Sequence, residues 1–418
     1  MVQSASLRVL YIHQYFRTPS MPGGTRSYEF ARRLVRAGHD VQMITSDTQG
    51  LHGTAKKWTK SEEEGICVHW LRLKYSNKMR YGQRMVAFAR FALAAARKAK
   101  RLGGDVVFAT STPLTVALPG VYASRRLGLP MVFEVRDLWP ELPIAMGALR
   151  NPLLQRGAKW LETFAYSHSR RVIALSPGMR DGIARTGFPV EKIEVIPNGC
   201  DNESFQSSTD EGREYLRKLA PGITDNVVSY TGTLGRINGV GYLVAIAVAM
   251  LEIDPNISFL ITGDGQEAEQ IREKAEQAEV LNKNLWMIGT TAKKDMPKIL
   301  AASTIATSLF VDLPEMWNNS ANKLFDGLAA GCPIAINYRG WQAELLERSG
   351  AGIVLPPDDA QVAAASLREF LSSEERLESA SSAAKELAEH EFDRDLLFQK
   401  FQSVIVSAAL EKPRRRAP

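Results

Sequence analysis

A chain of 418 residues, 45% hydrophobic and 23% charged, is long enough for about two domains with separate cores, and its balance excludes a disordered or fibrous protein. No apolar run reaches the roughly 18 residues that a spanning helix needs, and the start, MVQSASLRVLYIHQYF, lacks a basic segment ahead of an apolar one, so a cytoplasmic protein is expected. The charge of +6 comes without an aromatic-interleaved basic platform or helix-turn-helix spacing, which argues against nucleic acid as a partner.

In chain order, RVLYI at 8–12 reads as a first strand and is followed by His13. Gly23 and Gly24 then enter a helix with Thr25 as its expected cap, Tyr28, Ala31, Leu34 and Val35 on one face, and Gly38 at its end. A glycine pair lets backbone N–H groups approach an anion or a sugar, although Gly-Gly is also a common turn. Residues 78–101 carry eight cations and no acid among Phe88, Phe91, Leu93 and several alanines. Such a helix suits an anionic membrane surface, or packs on the core with a solvated basic face. The tail cations Lys412, Arg414, Arg415 and Arg416 could assist the same contact.

Apolar runs at 41–45, 106–110, 131–135, 171–175 and 193–196 alternate with helical patterns, which predicts a parallel sheet covered on both faces. The run at 131–135 leads into Arg136-Asp137-Leu138-Trp139-Pro140-Glu141, placing Asp137 at a strand's C-terminal end, where open α/β sheets bind ligands; an ion pair of Arg136 with Glu141 or Asp137 is the alternative. Asn198-Gly199 favours a tight turn, read as a hinge. A polar stretch from Asp201 to Asn226 then separates a second series of runs, at 227–231, 257–262, 285–289, 304–310, 333–337 and 352–356. Gly232, Thr233, Gly235 and Arg236 follow its first strand, and Gly263-Asp264-Gly265 follows its second. Such loops place backbone donors and a guanidinium near phosphate oxygens.

The segment NNSANKLFDGLAAGCP at 318–333 predicts a helix capped by Asn319 or Ser320 and closed by Gly331 and Pro333. Lys323 then falls in the first turn, where the helix dipole disfavours a cation. The placement is useful where an anion is held, since N–H groups and the ammonium converge there. A solvated Lys323–Asp326 pair is the alternative. Cys67, Cys200 and Cys332 are odd in number and match no metal spacing, and the six histidines include no ligand pair, so free thiols and no metal are expected.

These motifs, in this order and over nearly the whole chain, resemble family 4 glycosyltransferases, retaining enzymes of the GT-B fold. The N-K-L-F-D run before A-A-G most resembles the fucosamine-transferase-like branch of bacterial surface-polysaccharide enzymes. The chain departs from the family at Asn318, where Glu is usual, at Arg136, where His is usual, and at Thr233 and Asn238, where Arg and Lys are usual. The resemblance implies an α/β protein of two doubly wound Rossmann-like domains facing each other across a cleft. Its N-terminal acceptor-binding domain spans 1–205, its nucleotide-sugar domain 206–392, and a helix at 393–418 packs back on the first.

It further implies transfer of a sugar, with retention, from a nucleotide diphosphate donor, a UDP-sugar, to a hydroxyl of a lipid-linked saccharide in exopolysaccharide or O-antigen assembly, at the inner membrane face and without cofactor or metal. Catalytic roles fall to Asp137, Arg236, Lys323 and Asp326. Donor binding falls to Gly23, Gly24, Gly232, Thr233, Gly235, Gly263, Asp264, Gly265, Asn322 and Leu324, and acceptor binding to His13, Arg26 and Arg136. A catalytically inactive binding subunit of an assembly complex and a nucleotide-sugar 2-epimerase are the alternatives.

Overall fold

The computed structural model describes residues 6–21, 23–48, 50, 57–75 and 79–411. Lys78 and the tail cations Lys412, Arg414, Arg415 and Arg416 lie outside them. Two compact units are present, one of residues 1–197 with 398–418 and one of 198–397.

The first unit runs β1 (Arg8–Ile12), α1 (Arg26–Arg36), β2 (Asp40–Asp47), β3 (Trp58–Glu63), β4 (Ile66–Arg72), α2 (Tyr81–Leu102), β5 (Val106–Thr110), α3 (Ala117–Leu127), β6 (Met131–Val135), α4 (Glu141–Ala145), α5 (Pro152–Ser167), β7 (Arg171–Ala174), α6 (Pro177–Arg185) and β8 (Ile193–Val195). Its sheet order is β3-β4-β2-β1-β5-β6-β7-β8, parallel except for the β3–β4 pair. Strand order therefore reverses between β1 and β5, the position at which doubly wound sheets open a crevice at the strands' C-terminal ends.

Alternate residues of the central strands face opposite layers, as strand geometry requires. Leu10, Ile12, Val107 and Ala109 pack with Phe91 and Ala95 of α2, Val121 of α3 and Tyr166 of α5. Phe108 faces the other way, with its ring 5.0 Å from Phe401, which in turn lies 4.7 Å from Phe30 of α1.

The second unit runs α7 (Thr209–Leu219), β9 (Asn226–Thr231), α8 (Gly241–Ile253), β10 (Ile257–Thr262), α9 (Ala268–Gln277), β11 (Leu285–Gly289), α10 (Met296–Ala301), β12 (Ile305–Ser308), α11 (Asn322–Ala329), β13 (Ile334–Ile336), α12 (Trp341–Ser349), β14 (Gly352–Val354), α13 (Ala360–Leu371) and α14 (Glu374–His390). The chain then enters α15 (Arg394–Leu410), whose residues from Phe398 onward belong to the first unit. Its all-parallel sheet has the order β11-β10-β9-β12-β13-β14, so the reversal falls between β9 and β12.

Two local expectations change. Neither strand of the β3–β4 hairpin was among those expected: WTKSEE is a polar edge, while β4, ICVHWLR, is a buried run parallel to β2 that was missed although it carries the apolar signature. The turn between them is marked by Glu64 and Gly65, both at positive φ. Asn198-Gly199 is not a tight turn. The Asn198 backbone N–H donates to Ser320 Oγ (3.0 Å) and its side-chain amide to the Ser320 carbonyl (2.6 Å). A Cβ on Gly199 would lie 2.9 Å from the Phe392 carbonyl oxygen, so the glycine serves close packing. These contacts tie the segment into the second unit ahead of residue 206.

Candidate functional site

In the first unit, loops after β1, β5 and β6 gather His13, Arg136 and Asp137 at one end of the sheet. His13 is buried and its Nδ1 has no hydrogen-bond partner. Burial first, then the positive charges of Arg136 and Arg17, hold its pKa well below the usual value, so the imidazole is neutral. Burial raises the Asp137 carboxyl, opposed by the Arg136 charge and by a hydrogen bond from Thr112 Oγ1 (3.3 Å). The Arg136 backbone N–H donates to Ser111 Oγ (3.0 Å), which fixes the start of this loop on its neighbour. A neutral imidazole with a spare nitrogen beside a carboxyl and a guanidinium can exchange hydrogen bonds with a sugar hydroxyl.

Gly23 and Gly24 are exposed ahead of α1, and Gly23 has φ +122, which explains the glycine. Thr25 supplies no side-chain cap to this helix. Arg26 requires a correction. Its guanidinium is buried, paired with Glu134 at 2.9 Å, and donates to the carbonyls of Ile196 (2.8 Å) and Pro197. Glu134 also accepts from Thr110 Oγ1 (2.6 Å). Arg26 thus ties α1 to β6 and to the end of the first unit, and its donors are committed to the protein rather than to an acceptor. Arg26→Met, which leaves Glu134 buried without its cation, is expected to cost about 3 kcal/mol of stability, read as a lowered urea midpoint.

The second unit builds its cluster around Lys323. Gly232 leaves β9 at φ +147, and a Cβ there would lie 3.3 Å from Lys323 Cδ, so the glycine makes room for the lysine stem. The half-buried ammonium sits 5.1 Å from the Tyr230 ring centroid and 5.0 Å from that of Phe310. With its amide oriented by its neighbours, Asn238 accepts from Lys323 Nζ (3.2 Å) and donates to the Thr233 carbonyl (2.9 Å), which also accepts from Tyr230 Oη (2.8 Å).

Lys323 is therefore not one half of a solvated pair. Burial lowers its pKa to about 8, with the Asp326 charge opposing. Burial also raises Asp326 to about 6, against the Arg394, Lys293 and Lys323 charges and with the nearby Asp201 charge. Tyr230, Phe310 and Asn238 were not counted as site residues from sequence. For Asn238 a signal existed: a polar residue three positions after Gly235, in a loop already expected to meet phosphate.

The helix α11 begins at Asn322 with Ala321 in the cap position and no side-chain cap, so the expectation of Asn319 or Ser320 is corrected. Ser320 Oγ is taken by Asn198, Asn319 Nδ2 donates to the Met316 carbonyl, and the Asn319 carbonyl accepts from Trp341 Nε1 (2.7 Å). The N–H groups of Asn322 and Lys323, which lie ahead of any intrahelical acceptor, thus start beside the ammonium. Leu324 is also corrected: its side chain is fully buried and its N–H donates to the Ala321 carbonyl (3.2 Å). Asn322 is exposed.

Gly263 and Gly265 serve packing between loops. Added Cβ atoms would lie 1.7 Å from the Gly232 carbonyl oxygen and 2.2 Å from that of Leu234, and the Leu234 N–H donates to the Asp264 carbonyl (3.0 Å). Asp264 is exposed and its carboxylate accepts from the Gly265 N–H (2.7 Å). Thr233 and Arg236 are exposed, Gly235 is half-buried, and Arg236 opens the short 3-10 turn that brings Asn238 to Lys323.

Each unit has a strand order that reverses once, and the second adds a half-buried cation beside an uncapped helix turn; the matches to family models show that the chain belongs to the GT-B glycosyltransferases. Residues 23–199 match the glycosyl transferase 4-like domain and residues 213–387 the glycosyl transferases group 1 domain. Over 245 residues the chain is 29% identical to the Escherichia coli UDP-Gal:alpha-D-GlcNAc-diphosphoundecaprenol alpha-1,3-galactosyltransferase, a match covering 57% of this chain and 60% of that enzyme's length. In fold it is similar to Anabaena Alr3699/HepE in complex with UDP and glucose (TM-score 0.70, 18% identity, 96% of this chain and 100% of that one). It is likewise similar to sucrose-phosphate synthase from Thermosynechococcus elongatus (TM-score 0.74, 15% identity, 95% and 98%).

Proposed function

We propose that the protein transfers a sugar, with retention, from a UDP-sugar to a hydroxyl of a lipid-linked saccharide during bacterial surface-polysaccharide assembly. The observation that carries this reading is the Lys323 ammonium beside the uncapped start of α11 and the Gly232 loop. Breaking the anomeric C–O bond leaves negative charge on the departing diphosphate. An ammonium and helix N–H groups fixed in advance stabilise that charge more in the transition state than in the bound donor.

Asp326 orients hydroxyls of the donor, and Arg236, exposed on its turn, adds a second cation to the phosphates. Asp137 and neutral His13 hold the acceptor hydroxyl, with Arg136 beside them. The galactosyltransferase relative, named for a diphosphoundecaprenol acceptor, supports a lipid diphosphate acceptor here. The acceptor's lipid requires work at a membrane surface, the inner face, to which basic α2 is suited.

A panel of nucleotide sugars tests the reading by thermal shift and by nucleotide release with an undecaprenyl-diphosphate saccharide added. One UDP-sugar is expected to stabilise the protein by about 2.7 kcal/mol at a hundred times its dissociation constant. Stabilisation by no nucleotide sugar would overturn the reading.

A further inference from the structure

We infer that α2, α3 and α5 of the first unit form one composite docking face for an anionic phospholipid bilayer, with α5 supplying the apolar side chains that enter it. The inference rests on the proposed lipid-linked acceptor and goes beyond the basic stretch of α2. All three helices cover the same side of the sheet, the side of Val107 and Ala109, while α1 and α15 cover the other. They hold six, two and two cations respectively and a single acid, Glu162, which is buried.

Their outward surfaces are not simply hydrated. On α5, Leu153 is 73% exposed and Trp160 61% exposed, with Leu154, Arg156 and Lys159 also exposed. On α2, Val86 and Leu93 are 56% and 60% exposed, and on α3 the Arg126 guanidinium lies 5.7 Å from the exposed Tyr122 ring. Large apolar and aromatic side chains among many cations match the bilayer interface, where Trp and Tyr settle at headgroup level and cations meet lipid phosphates. A soluble phosphate ligand would leave Leu153 and Trp160 without a role.

A depression of about 360 Å³ at the α2 edge supports the same occupant. Its lining includes Lys57, Arg72, Lys74, Arg90 and Arg97, with Leu93 among them and no acid. Five cations around the apolar side chains of Leu71, Leu73, Leu93 and Ala94 fit a phospholipid headgroup with the start of its acyl chain. No helix among the described residues is long and apolar enough to cross a membrane, so the contact is with the surface.

Co-sedimentation of the full-length protein with phosphatidylcholine vesicles, with and without phosphatidylglycerol, tests the inference. Binding is expected only with phosphatidylglycerol and falls with salt. Leu153→Ser/Trp160→Ser and Arg90→Glu/Arg97→Glu are each expected to weaken it about ten-fold, with melting temperature and donor-induced stabilisation unchanged. Quenching of tryptophan fluorescence by brominated lipid should drop in Trp160→Phe. Equal vesicle binding by the α5 double variant and the parent, or quenching that Trp160→Phe leaves intact, overturns the inference. So does a vesicle-free dimer abolished by the same substitutions, which would assign the face to self-association. Vesicle binding without any nucleotide-sugar stabilisation would instead sink the transferase reading and leave the docking face standing.

Discussion

Lys323→Met is expected to lower kcat/KM for the donor about 10³-fold while raising the melting temperature of the ligand-free protein by a few degrees. The two effects share one cause. Burial lowers the Lys323 pKa from near 10.5 to about 8, so the folded protein holds an ammonium where a neutral group is preferred. That cost is at most about 3 kcal/mol, less the solvent screening available to a half-buried side chain. It is present in full below pH 8 and disappears as pH rises toward 10.5, where the unfolded chain also loses the proton. Methionine fills the same volume between the Tyr230 and Phe310 rings without the charge. Kinetics and thermal melts at neutral pH decide the matter. A melting temperature that falls together with activity would make Lys323 a structural residue and remove the main support for the donor site.

The pH profile of kcat/KM for the donor should be bell-shaped, rising through about pH 6 as Asp326 ionises and falling through about pH 8 as Lys323 loses its proton. Outside this window activity changes about ten-fold per pH unit. Asp326→Asn should flatten the acid limb and leave the alkaline limb in place. The stability signs are separate. The raised Asp326 pKa costs folding energy that grows as pH rises from 3.8 to 6, because the unfolded carboxyl ionises first. Since a bound diphosphate raises the Lys323 pKa, the alkaline limb of kcat should lie above that of kcat/KM. An acid limb that persists in Asp326→Asn would remove this residue from the donor site.

Most of the sheet structure was legible because buried parallel strands are near-continuous apolar runs, and RVLYI, VVFAT and ISFLIT need no partner to be recognised, although the equally buried β4 was missed. The polar edge strand at 58–63 lacks that signature, and its hairpin depends on the backbone of Glu64 and Gly65. Lys323 could be singled out because its position in the helix contradicts local electrostatics. The fates of Arg26 and Ser320 could not be read, since each is decided by a partner far along the chain: Glu134 and the carbonyls of 196 and 197 for one, Asn198 for the other. Gly263 and Gly265 show the same limit. A glycine motif that looks made for a ligand is required by the backbone beside it.

Ala321 in the cap position of α11 leaves a short helix unfinished. A serine or aspartate there would complete it internally and occupy the amide groups now directed outward. The segment forgoes that local gain, and on the proposed donor reading the last hydrogen bonds of its secondary structure are supplied by a substrate's oxygens. Binding the donor and completing this helix start are then one and the same step.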